Sequence, residues 1–294
     1  MKIAMQKTIL FFIILILPVM LMSFGKNKIQ KEKMIWSKME TMHFDIYYKK
    51  GEDEFGKIAA FIAEESYYFL KENFKRPMQK RIPIIFYHSH QNFETTNIIF
   101  PLLSEGVGGF TESVRNRVVV PFDGSYLKLE EVLLHELTHA FVNSIKSSSI
   151  GSKMLNLPSN SLPFWFSEGL PEYLSVNGKD NYNNMFIKDL ILNGKIYPLE
   201  TINGYLAYRE GESFLVYISE TYGEEVVMNF FYTYRISQNI DATCKKVFDM
   251  KFEEIQIRWK NYLKKKYFYL MQEYDIPYEK YEQKTFNKKK APSS

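Results

Sequence analysis

Two histidines four residues apart constrain this chain more than any other feature of its sequence. His135 and His139 lie in the segment His-Glu-Leu-Thr-His, and on an α-helix this spacing places both rings on one face, one turn apart. A single metal ion can then bind one nitrogen of each ring. The spacing therefore predicts a rigid helix at residues 135–139 and a metal site on it.

The flanking residues predict that this helix is mostly buried. Between residues 127 and 145, apolar residues recur near helical spacing and leave the motif on one flank: Leu129, Val132, Leu133, Leu137, Ala140 and Phe141. The alternative is a core helix in which both histidines serve only as hydrogen-bonded residues. We favour the metal site because buried flanks and ligand spacing occur together.

A second segment, Ser-Glu-Gly-Leu-Pro-Glu-Tyr at 167–173, supplies two acids four residues apart, Glu168 and Glu172. Two solvated carboxylates on a surface helix would be the ordinary interpretation. Here Trp165, Phe166 and Leu170 surround them, and acids in such apolar sequence need partners. We therefore expect Glu168 to be a third ligand, leaving the fourth position open as in zinc hydrolases.

Together the two segments resemble the gluzincin zinc peptidases, in particular the peptidase MA-like family. Further similar segments extend the resemblance over roughly residues 42 to 270: Pro83-Ile-Ile-Phe-Tyr, Gly108-Gly-Phe-Thr, Arg117-Val-Val-Val-Pro-Phe, Tyr208-Arg-Glu-Gly-Glu-Ser-Phe and Trp259-Lys-Asn-Tyr-Leu. The resemblance implies an α+β, zincin-like fold. A small mixed sheet with the zinc-binding helix would pack against a mainly helical C-terminal half, with the active cleft between them.

The resemblance also implies one Zn²⁺ ion, a peptide or protein substrate, and roles for individual residues. Glu136 is expected to be the general base that takes a proton from the zinc-bound water. Glu172 is expected to accept a hydrogen bond from the second ring nitrogen of His135. Tyr208 is the first candidate for the donor to the oxyanion, ahead of Arg209 and Tyr205.

Substrate contacts are expected at the strand–turn–strand segment between Gly106 and Phe122. The resemblance implies that the second strand, around Val119, is an edge strand to which an extended peptide can add. Gly109 and Phe110, in the first strand of this segment, are the other two candidate substrate-binding residues.

Pro171 departs from the family, which usually has alanine at this position. Proline lacks an N–H and clashes with the carbonyl four residues earlier inside a helix, but the first helical turn tolerates it. We therefore expect the helix that carries Glu168 to begin close to Ser167, a good N-cap residue, or to kink there.

The N-terminus predicts export. Lys2 and Lys7 precede an apolar run from Ile9 to Met22, and the small residues Ser23 and Gly25 suit cleavage after Gly25. The alternative is an uncleaved N-terminal membrane anchor. The protein would then be secreted, periplasmic or membrane-anchored, with its domain outside the cytoplasm. No internal disulfide is possible, because the chain has one cysteine.

The predicted organisation is a leader at 1–25, a linker at 26–40, a metallopeptidase domain at 41–275 and a basic tail at 276–294. A net charge of +4 is too small to indicate nucleic-acid binding. Periodicity predicts strands at 44–48 and 82–87, a helix at 52–74, and helices at about 181–193, 209–221, 223–236 and 252–272.

Two other functions fit the same metal site. One is a non-catalytic surface or scaffolding protein that keeps the zinc fold, although such a protein would not need Glu136. The other is a zinc hydrolase acting on a non-protein amide such as a cell-wall peptide, whose zinc chemistry would be nearly the same.

Overall fold

The computed structural model describes residue 28 and residues 33–99, 101–103, 106–147, 162–176, 178 and 180–272. The predicted leader, cleavage position and basic tail lie outside these residues. Within the described part of the chain, no helix combines the length and apolar character needed to cross a membrane. The chain divides into two compact units. Unit 1 takes the described residues up to Phe69 and those from Met78 to Ala140, and unit 2 takes Leu70–Pro77 and those from Phe141 onward.

Unit 1 is built on a five-stranded mixed sheet in the order β1-β2-β3-β5-β4. The strands are β1 (Trp36–Glu40), β2 (Phe44–Lys49), β3 (Ile82–Tyr87), β4 (Phe110–Glu112) and β5 (Arg117–Pro121). Strands β2, β3 and β5 are parallel, whereas the outer strands β1 and β4 pair antiparallel. Alternate residues such as Phe44, Ile46, Ile84 and Val118 are fully buried, because successive side chains of a strand point to opposite faces.

The helices complete an α+β fold. In chain order they are α1 (Asp53–Phe74), α2 (His90–Glu94), α3 (Tyr126–Ser147), α4 (Phe164–Ser175), α5 (Asn181–Leu192), α6 (Tyr205–Tyr222), α7 (Glu224–Ser237), α8 (Ile240–Phe248) and α9 (Phe252–Gln272). The predicted helix at 52–74 and strand at 82–87 are confirmed, as are the helices predicted at 181–193, 209–221, 223–236 and 252–272, within a few residues at their ends.

Three elements were not predicted: strand β1 and helices α2 and α8. Strand β1 occupies the last five residues of the predicted linker, where it pairs with β2 from Trp36 opposite Lys49 to Glu40 opposite Asp45. Its side chains are half-buried or exposed, so its sequence has no apolar alternation that would indicate a strand. Helix α8 is nine residues long and begins where the Asn239 side chain accepts a hydrogen bond from the Ala242 N–H.

Helix α4 begins three residues earlier than predicted. Its N-cap is Pro163, whose carbonyl accepts hydrogen bonds from the N–H groups of Phe166 (2.9 Å) and Ser167 (2.8 Å). The prediction of a start close to Ser167 is wrong because Trp165 and Phe166, which are 2% and 0% exposed, bury more apolar surface in the helical conformation than a serine cap can offset. Pro171 therefore lies inside the helix.

In unit 2, helices α4 and α6 cross at two glycines. A Cβ atom added to Gly169 would lie 2.6 Å from the carbonyl carbon of Gly211, and one added to Gly211 would collide with the Trp165 carbonyl oxygen. The two backbones can approach this closely only because neither residue has a side chain.

Aromatic rings fill the core of unit 2 beside this crossing. The ring of Trp165 stacks on Phe252, and Phe214 meets Trp259 edge-on. The single cysteine, Cys244, is fully buried, and burial raises the pKa of its thiol to about 12.

Candidate functional site

Helix α3 presents the two motif histidines from its partly exposed flank. Leu133, Leu137 and Ala140 of the same helix are fully buried, so the apolar face is turned into the core while His135 and His139 remain half-buried. The Nε2 atoms of the two rings lie 3.3 Å apart. The spacing of four residues has therefore brought two ring nitrogens to within the reach of one ion, as predicted.

Glu136 lies between the two histidines in sequence and is 6% exposed. Its carboxylate oxygen Oε2 lies 2.7 Å from the hydroxyl of Thr111 on β4, and that hydroxyl also lies 2.7 Å from the backbone oxygen of Glu136. The carboxylate is thus held against the outer strand of the sheet. Thr111 ends the segment Gly108-Gly-Phe-Thr, but nothing in the sequence alone predicts its contact with Glu136.

Gly109 lies directly beside Glu136. A Cβ atom at Gly109 would lie 3.1 Å from Cγ of Glu136, and 3.2 Å from both the carbonyl oxygen of Val119 and a methyl group of Val132. A side chain at this position would press on the predicted general base. The absence of one lets Glu136 pack directly against the backbone at Gly109.

The expectation for Val119 is wrong. Strand β5 is paired on both sides, with β3 and with β4, so it offers no free edge, and β4 is the outer strand. The side chain of Val119 is fully buried in a cluster with Tyr87 and Phe93, against which Phe110 also packs. The sequence could not distinguish the two strands of the hairpin, because either one can lie outermost.

The second motif lies on α4 in unit 2. Glu168 and Glu172 are both half-buried, as their apolar surroundings predicted. An oxygen of Glu172 lies 3.0 Å from Nη1 of Arg209 on α6, and the same nitrogen lies 3.1 Å from Asp180 and 3.8 Å from Glu212. One guanidinium is therefore surrounded by three carboxylates.

These charges shift the pKa values of the cluster. Burial alone would lower the pKa of Arg209, but the carboxylates of Glu172, Glu212 and Asp180 raise it on balance. Burial, followed by repulsion from Asp180 and Glu172, raises the pKa of Glu212 to about 8. The raised pKa favours the protonated form of Glu212 at neutral pH, and its Oε2 atom accepts a 2.7 Å hydrogen bond from Asn183.

The three candidates for an oxyanion donor lie in the first turns of α6. Tyr208 is half-buried, with its ring edge-on to that of Phe164 at 6.2 Å. Tyr205 lies with its ring centroid 5.0 Å from the guanidinium carbon of Arg209. Because Arg209 already interacts with three carboxylates, it is the least available donor of the three.

Three described residues carry the ligand types of a zinc site. His135, His139 and Glu168 each offer one ligand atom, and each is partly buried. Two imidazole nitrogens and one carboxylate oxygen form a donor set that zinc uses in catalytic sites. Asp180 also belongs to the cluster around Arg209, but the sequence gives no signal for it, because it lies 29 residues from that arginine along the chain.

A comparison with protein families finds one that matches most of the chain. The model of the Peptidase MA superfamily matches residues 63–265, a range that contains the motif histidines, both acids of α4 and Arg209. No curated protein matches the chain.

Proposed function

Because the chain belongs to the Peptidase MA superfamily, we propose that it is an exported, zinc-dependent endopeptidase in which Glu136 is the general base. The family membership indicates a metallopeptidase-type function. The observation that carries the finer proposal is the pair of ring nitrogens 3.3 Å apart, with the buried carboxylate of Glu136 between them in sequence.

His135, His139 and Glu168 are the proposed metal ligands. The donor set supports zinc, because nitrogen and carboxylate ligands with a free fourth position are typical of its catalytic sites. When bound, the metal would lower the pKa of a water molecule toward neutrality and polarise the substrate carbonyl. The two imidazoles must offer lone pairs rather than protons toward the metal.

Glu136 would take the proton of the attacking water and deliver it to the leaving amine. Its burial supports this role, since a carboxylate with few water contacts keeps a defined position. Glu172 would accept a hydrogen bond from the second nitrogen of His135 and so fix the orientation of that ring. Arg209, 3.0 Å from Glu172, would in turn hold that carboxylate.

The substrate would bind as an extended strand along β4. This strand is outermost in the sheet, and an outer strand has backbone groups free to pair with a peptide. Gly109 would let the Glu136 side chain lie directly against the chain beside β4. Tyr208 would donate a hydrogen bond to the oxygen on which negative charge develops.

Hydrolysis of a denatured protein, measured with and without a chelator, tests the proposal when combined with zinc analysis. We expect the purified wild-type chain to bind one zinc ion and to cleave the substrate until the chelator is added. Glu136→Gln should bind the same zinc and lose turnover. Full turnover by this variant would exclude Glu136 as the base, and a zinc-loaded wild type without any hydrolysis would favour the non-catalytic alternative.

Export is proposed from the leader sequence and needs its own test. The intact mass of the mature protein, recovered from outside the cytoplasm, should correspond to cleavage after Gly25. A mass equal to that of the full chain in a membrane fraction would show an uncleaved anchor instead.

A further inference from the structure

The hydroxyl of Thr111 contacts both the side chain and the backbone of Glu136. Its oxygen lies 2.7 Å from the carboxylate of Glu136 and 2.7 Å from the backbone oxygen of the same residue. Its one proton can be donated to either acceptor. Thr111 thus links the outer strand β4 to the side chain and to the backbone of α3 at one point.

A second hydrogen bond joins the β4–β5 hairpin to α3 and can be compared with that of Thr111. In the turn between β4 and β5, the side-chain amide of Asn116 donates to the backbone oxygen of Ala140 at 3.0 Å. Glu136 and Ala140 are one helical turn apart, so the hairpin is attached to two successive turns of α3. Both attachments join the hairpin to the helix, but of these two bonds only that from Thr111 also reaches the carboxylate.

We infer that Thr111 is a positioning residue for Glu136, an inference that rests on the proposed function of the site. A glutamate side chain rotates about three bonds, and a general base works only within hydrogen-bond reach of the proton that it takes. The hydroxyl of Thr111 fixes one carboxylate oxygen. The other oxygen would then be the one that accepts the proton.

The location of Thr111 adds a second consequence. Thr111 lies on the strand proposed to pair with the substrate, opposite Val118 of β5. The same strand therefore positions both the peptide and the base. Errors in their relative position are costly, because small displacements of reacting groups reduce rates strongly.

Four variants of the full chain test this inference. Thr111→Val keeps the side-chain shape and removes the hydroxyl, whereas Thr111→Ser keeps the hydroxyl. Asn116→Gly removes the other hairpin bond at a residue with φ of +54°, a conformation that glycine adopts freely. Glu136→Gln marks the loss of the base itself.

For Thr111→Val we expect kcat to fall by about ten- to a hundredfold, with KM within about twofold and zinc content equal to the wild type. Thr111→Ser should recover most of kcat, and Asn116→Gly should lower thermal stability while leaving kcat within about twofold. Crystal structures of metal-free Thr111→Val and Thr111→Ser should show the Glu136 carboxylate displaced only in the valine variant.

A kcat of Thr111→Val within twofold of the wild type, or an equal loss in Asn116→Gly, would overturn the inference and leave the proposed function standing. A wild-type chain without chelator-sensitive hydrolysis would overturn the proposed function and, with it, the role of Thr111. A Glu136 carboxylate in the same position in the metal-free valine and serine variants would also contradict positioning, whatever the activity.

Discussion

Arg209 Nη1 on α6 lies 3.0 Å from the carboxylate of Glu172 on α4. The same nitrogen also lies 3.1 Å from Asp180 and 3.8 Å from Glu212, so one cation lies among three acidic side chains. Both Arg209 and Glu172 have side chains only 16% exposed. A mostly buried group of ion pairs therefore joins α4, the helix that carries Glu168, to α6.

Replacing Arg209 by methionine should destabilise unit 2. The change removes the cation that lies between the carboxylates of Glu172 and Asp180, and loss of one partner from a mostly buried ion pair costs about 3 kcal/mol. Urea unfolding should show this decrease in the free energy of unfolding. Arg258→Met is the matched control, because Arg258 and its partner Glu254 are 55% and 50% exposed, and exposed pairs contribute less than about 1 kcal/mol. An equal decrease in the free energy of unfolding for the two variants would show that the buried cluster around Arg209 contributes no more than an exposed ion pair.

Stability should fall as the pH rises from about 4.5 toward 8. Burial raises the pKa of Glu210 and of Glu212 to about 8 from the ordinary value of 4.5, so in this window the folded chain holds protons that the unfolded chain has released. The contribution of these two protonated side chains to the free energy of unfolding is fully present below pH 4.5 and is lost as the pH rises through 8. Urea unfolding between pH 5 and 9 should therefore show a decline.

Glu212→Gln should flatten part of that decline, because the amide stays neutral at every pH, while the exposed Glu253→Gln should keep the wild-type profile. Parallel profiles for the wild type and Glu212→Gln would show that Glu212 is already ionised in the folded chain.

Removing the carboxylate of Glu168 should release zinc. Glu168→Ala leaves two nitrogen ligands, which is fewer than the three protein ligands of catalytic zinc sites. After dialysis against a moderate chelator concentration, metal analysis should find zinc in the wild type and in Glu253→Ala, but not in Glu168→Ala. Unchanged zinc in Glu168→Ala would show that another residue is the third ligand.

Tyr208→Phe should lower kcat by about tens to hundreds of fold, because the change removes a hydrogen-bond donor to the developing oxyanion. Zinc content should not change. Tyr205→Phe is the matched control, since its ring lies over Arg209 and keeps that contact without the hydroxyl. A rate for Tyr208→Phe within twofold of the wild type would reject the role, and a larger loss in Tyr205→Phe would transfer it to that residue.

Gly169→Ala should destabilise the chain even though alanine favours helices by about 1 kcal/mol over glycine. The added Cβ would lie 2.6 Å from the backbone of Gly211, so α4 and α6 would have to separate and lose packing along their crossing. Thermal unfolding should show a lower midpoint. Gly106→Ala should not, because nothing lies within 4 Å of a Cβ at that position.

The fold was predictable where a residue pattern reports burial. Strand β3 was predicted residue for residue because Ile82, Ile84 and Phe86 alternate into the core. Strand β1 was not, because backbone pairing with β2 holds it and its side chains stay largely outside. The start of α4 was misjudged because a cap of about 1 kcal/mol competes with burial of two aromatic side chains worth several kcal/mol.

In the candidate site, too, the features set by local spacing were predictable and the contacts between distant residues were not. The histidine pair was predictable because its geometry depends on a spacing of four residues along one helix. The bond from Thr111 to Glu136 spans 25 residues, and that from Arg209 to Asp180 spans 29. Contacts of such sequence separation depend on how strands and helices are arranged, which no local pattern in a single sequence contains.

The buried thiol of Cys244 allows local opening of the native chain to be measured by chemical modification. It is the single cysteine among 294 residues, it is fully buried, and burial raises its pKa to about 12, so the reactive thiolate is scarce until its surroundings open. The rate at which a thiol reagent modifies the unaltered protein therefore measures how often the region around α8 opens under native conditions. A cysteine introduced on the surface could also be labelled alone, without first removing Cys244.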